Sequence, residues 1–108
     1  VISVRAVAAV LVTAALWVHP VLAVDIIGMG TASCGAWTEA RTRKVANIYE
    51  QWMVGYLSGA AAVLSKDLLA KRDAFGIWRW VDNYCVAHPL DQLATAGVRL
   101  FLVLEERQ

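Results

Sequence analysis

Cys34, Cys85 and His88 are the side chains beyond the N-terminal apolar stretch whose types suit chemistry near neutral pH. A thiol nucleophile needs a base to take its proton. His88 stands three residues past Cys85, but it sits beside Pro89. Two sulfurs and one imidazole scattered along the chain fall short of a structural zinc site, which asks for four ligands, so no metal or other cofactor is expected. No serine, cysteine or carboxylate is paired with a histidine at motif spacing, and the sequence carries no phosphate loop, haem motif or zinc signature. One histidine leaves little scope for proton transfer at neutral pH. The expectation is a non-enzymatic protein with no catalytic residue, in which the chemistry left to the two sulfurs is oxidation to each other.

Whether they oxidise depends on compartment. Arg5 is followed by an apolar run over residues 6–18, a His19-Pro20 break and then Val21-Leu22-Ala23, with small residues where a signal peptidase cuts. Residues 1–23 therefore read as a signal peptide. The apolar run is shorter than the roughly 20 residues of a membrane span, so no span is expected after cleavage. An uncleaved anchor continuing through residues 21–27 is the alternative. Export places the chain in the periplasm or outside the cell, where two cysteines pair. A Cys34–Cys85 bridge closes a loop of about 50 residues, worth on the order of 4 kcal/mol in the chain-entropy model. That rivals the net stability of so small a domain.

The 108 residues, 59 % hydrophobic and 18 % charged, amount to one small domain of formal charge +1. Without residues 1–23, Arg5 is lost and no acid with it, which leaves a formally neutral chain. Neutrality argues against a nucleic-acid partner, which would need excess Lys and Arg to release counterions. The aromatic content argues against disorder. Glycines 28, 30 and 35 punctuate residues 24–36 and predict a flexible lead-in, with a helical domain over 37–108. Val45, Ile48, Tyr49, Trp52, Met53, Tyr56, Ala60 and Leu64 recur every three or four residues and predict a helix over 38–64. Arg41, Arg43 and Lys44 oppose the dipole of a first turn, so a short turn and a break before Val45 is the variant of that reading. Ser65 caps a short helical turn over 66–71, and Asp73 caps a helix over Ala74–Ala87. Pro89 opens the last helix, whose stripe is Leu90, Leu93, Ala94, Gly97, Leu100, Phe101 and Leu104. The fold class is all-α: a small bundle of three main helices plus a short one, stapled by one disulfide.

Surface chemistry narrows the function to binding. Trp78 and Trp80, two apart on one helix, point to different faces, so one of them is expected at a partner surface or beneath the 34–37 segment. Trp37 is expected beside the disulfide. Arg41 and Arg43 belong to a basic cluster that is either a solvated helix end or a contact for anionic lipid or an acidic partner. His88 either caps the turn before Pro89 or senses pH, as the remaining group that titrates near neutrality. Gly55, Ser58, Gly59 and the alanines after them form a smooth face that another backbone could approach closely.

Cys34, the Gly55-Tyr56-Leu57-Ser58-Gly59 helix and Tyr84-Cys85-Val86-Ala87-His88-Pro89-Leu90, followed by a Leu/Ala helix, resemble the HdeA/HdeB-type periplasmic proteins. The resemblance spans about residues 34–104. It implies a small exported helical domain with one disulfide that acts as an acid-stress chaperone. Acid would loosen the fold or a homodimer and free apolar surface to capture unfolding periplasmic proteins. The glycine-bearing helix and the Val81–Pro89 segment are also similar to Tai-type immunity proteins, which implies instead one specific periplasmic toxin or enzyme as partner.

Overall fold

The computed structural model describes residues 24–107; the expected signal peptide over 1–23 lies outside them. Four helices carry the fold: α1 (Cys34–Thr42), α2 (Asn47–Val63), α3 (Ala74–Ala87) and α4 (Leu93–Glu106), preceded by a 3-10 turn at Met29–Thr31. Among the described residues there is no strand beyond an isolated antiparallel bridge between Ser33 and Gln92. Cys34 and Cys85 are joined, and their Cα atoms stand 4.7 Å apart. The bond ties the first residue of α1 to the last turn of α3. Trp37, Met53, Leu57, Val81 and Leu93 fill the centre around it, one or two from each helix.

Three expectations about local structure are corrected. First, residues 28–36 are not a bare lead-in. Ser33 caps α1, its hydroxyl accepting from the Ala36 amide at 3.1 Å, so the helix begins four residues earlier than the apolar period announced. Trp52 of α2 lies over the preceding turn, its indole donating to the Ile27 carbonyl at 3.3 Å. Gly30 is required there, because an added Cβ would come within 2.2 Å of two Trp52 ring carbons. Second, the continuous helix expected over 38–64 gives way to the variant with a break before Val45, as two helices. Lys44, at φ 59°, turns the chain between them, so Arg41, Arg43 and Lys44 end a helix rather than start one, where the dipole favours cations. Third, the short helix is α1, not residues 66–71. That stretch lies between Ser65 and Lys71, both in the left-handed region at φ 52° and 61°, and six residues so bounded cannot repay helix nucleation. It still contributes Leu68 to the core.

Asp73 caps α3 as expected, accepting from the Gly76 amide at 2.7 Å. The last helix starts at Leu93, later than Pro89 suggested, because the backbone before it is used elsewhere. The Asp91 carbonyl accepts from the Cys34 amide at 2.7 Å, that of Pro89 from Gly35 at 2.9 Å, and the Leu93 amide donates to Ala32 at 2.8 Å. These bonds stitch the entry to α1 onto the entry to α4, beside the disulfide. Leu90, expected in the buried stripe, is therefore outside the helix and 93 % exposed.

Candidate functional site

The helices bring Arg41, Glu50 and Asp82 together from three separate elements. Asp82, on α3, accepts from Arg41 Nε at 2.9 Å and Nη2 at 2.7 Å, and from the Trp37 indole at 2.8 Å. Arg41 Nη1 reaches Glu50 of α2 at 2.6 Å. The guanidinium also lies 5.7 Å and 5.9 Å from the ring centroids of Trp37 and Trp78. The hydrogen bond to Asp82, with a smaller one to Glu50, pushes Arg41 above its ordinary pKa, against the opposing effect of burial. This cluster is a clasp across α1, α2 and α3. It engages the Arg41 guanidinium internally while leaving that side chain partly exposed. Sequence spacing could not reveal it, since 41 residues separate Arg41 from Asp82.

The other predicted site residues are dispersed. Trp37 is fully buried beside the disulfide, and Trp78 is buried with its indole donating to the Glu50 carbonyl at 3.0 Å. Each of these rings is held inside with its N–H satisfied, which leaves Trp80 as the more exposed of the pair on α3. Trp80 is half-buried and stacks on Tyr84 at 5.5 Å. Arg43 is exposed at the end of α1 and 3.7 Å from Glu39. His88 is exposed, caps α3 and stacks on Tyr84 at 4.3 Å. The Tyr84 hydroxyl donates to Asp91. Burial first, and that bond second, raise its pKa above 10.0, with Arg99 opposing. No three His, Cys, Asp or Glu among the described residues are grouped to hold a metal ion. None of the described helices is long and apolar enough to cross a membrane.

What the structure leaves uncovered is the outer side of α2 and its seam with α4. Trp52 and Tyr56 stack at 4.7 Å. A hollow of about 410 Å³ opens on one side of that pair, floored by Ile26, Ile27 and Gly55. On the other side a groove of about 210 Å³ runs between Tyr56, Ala60 and Leu64 of the α2 end and Val98 and Phe101 of α4, with no charged residue lining it. Gly97 makes the seam close, since a Cβ there would stand 2.9 Å from the Tyr56 ring. Gly55 and Gly59 differ: an added Cβ at either would meet nothing within 4 Å. Each glycine costs a helix about 1 kcal/mol relative to alanine, and no internal contact accounts for that cost. The smooth face was legible from the Gly55–Ala62 composition. The contributions of Tyr56, Leu64 and Val98 were not, because they depend on how α4 lies against α2. No protein-family model, curated protein or solved structure matches the chain.

Proposed function

We propose that this chain is an exported, non-enzymatic protein-binding domain of the HdeA/HdeB type, which works in the periplasm or outside the cell and holds other proteins as they unfold in acid. The observation that carries the reading is the uncharged groove along α2 and α4, flanked by exposed Val63, Leu64, Val98 and Leu102. A patch of that kind on a small domain marks a protein-interaction surface. The Cys34–Cys85 bond, of a kind that persists in oxidising compartments, supports the compartment. The Arg41 clasp supports a binding domain with a single defined packing, since it joins α1 to Asp82 of α3 and Glu50 of α2 by ion pairs.

The test is light scattering from an acid-labile client enzyme mixed with the protein, compared with the Gly59→Arg variant. Position 59 has open space around it, so a long cation is accepted without disturbing the core yet stands beside the groove. The expected result is protection by the unaltered protein below about pH 3, cut several-fold in the variant. No protection at any ratio would overturn the chaperone reading. The immunity-type reading is favoured by Gly55 and Gly59, whose open backbone suits close approach by one shaped partner. It predicts a single tight complex at neutral pH.

A further inference from the structure

A second cleft lies away from this groove, between the first half of α3 and the last turns of α4. It encloses about 220 Å³ and is walled by Ile77 and Trp80 on one side and Leu100, Val103 and Leu104 on the other. Arg72 and Arg107 stand at its rim, both exposed. Asp73 also lines it, but its carboxylate already accepts from the Gly76 amide. We propose that this cleft binds a free medium-chain fatty acid, the aliphatic chain against the apolar walls and the carboxylate between the two guanidinium groups. Arginine forks match a carboxylate in charge and geometry. The volume lies below the roughly 300–1,000 Å³ of pockets for drug-sized ligands, which fits one short chain and excludes a two-chain lipid. A peptide is disfavoured by the walls themselves. Neither wall is a strand edge along which a peptide's main chain could pair.

Octanoate is the probe, titrated calorimetrically into the oxidised protein, with amide shifts recorded by NMR. The expected result is saturable binding with the largest shifts at Ile77, Trp80 and Val103. Binding should weaken at least ten-fold in the double variant Arg72→Gln/Arg107→Gln, whose melting temperature stays within a few degrees of the parent because both side chains are exposed. Octyltrimethylammonium, with the same tail and the opposite charge, should bind at least ten-fold more weakly than octanoate. Equal binding of the two amphiphiles, octanoate shifts centred on the α2–α4 groove, or an unaffected double variant would each overturn the assignment. So would a leucine-terminated peptide that binds where octanoate does not.

Discussion

Replacing Cys34 and Cys85 together by alanine removes a covalent tie spanning 51 residues of sequence. In the chain-entropy model that restores about 4 kcal/mol of freedom to the unfolded chain. The folded state changes far less, because the Cys34 amide still donates to Asp91 and the Gly35 amide to Pro89, holding the same junction. Both sulfurs are fully buried, so their loss adds a packing penalty on the order of 1 kcal/mol. For a domain of this size each kcal/mol moves the midpoint by about 4–8 °C, which puts the expected drop for the double variant at roughly 20–40 °C. Circular dichroism melts of the oxidised protein, the same protein under reductant and the double variant measure it. The reduced protein and the variant should fall together if the unfolded chain is the main site of action. A variant melting within about 5 °C of the oxidised parent would refute the reasoning, since a loop of this length could not then be costing the unfolded state what the model assigns.

Arg41→Met should destabilise the fold by about 1–2 kcal/mol in urea, a discounted figure because the side chains of Arg41, Glu50 and Asp82 are 29, 17 and 33 % exposed; a change near zero would reduce the clasp to a solvated contact. The raised pKa of Arg41 keeps its own contribution intact below its unfolded value and loses it only in strong alkali. Gly30→Ala should cost about 1–3 kcal/mol and alter near-ultraviolet dichroism, because Trp52 must leave a site where the new Cβ would be 2.2 Å away; an unchanged spectrum would contradict that packing. Tyr84 has its pKa raised on folding, so its contribution is complete below about pH 10 and is lost as pH rises through the folded value. Melting curves in alkali should show the parent losing more stability than Tyr84→Phe.

Local rules carried the sequence reading furthest where the determinants sit side by side. Asp73 as a cap, Ala87 as the end of α3 and the pairing of the only two cysteines each depend on nearby residues or on counting. The reading failed where a distant segment decides. The start of α4 is set by backbone donors and acceptors of residues 32–35, 54 to 61 positions away in sequence, and helical periodicity is blind to them. The same holds for the tryptophans: spacing says that Trp78 and Trp80 face different ways, but only the packing of α1 and α2 over α3 decides that Trp78 goes inside. Arg41 looked like part of a basic patch because its acidic partners lie on other helices.

The claim that the α2–α4 groove is where other proteins are held is tested most directly by site-specific cross-linking. A photoreactive benzoylphenylalanine is placed at position 59 or 64, beside or within the groove, and as a control at position 86 on α3, which is also exposed. Each protein is acidified with the client and irradiated. Cross-links to client from positions 59 and 64, appearing as the pH falls and faint from 86, are the predicted result; equal yields from all three, or client captured from 86 alone, would contradict the account.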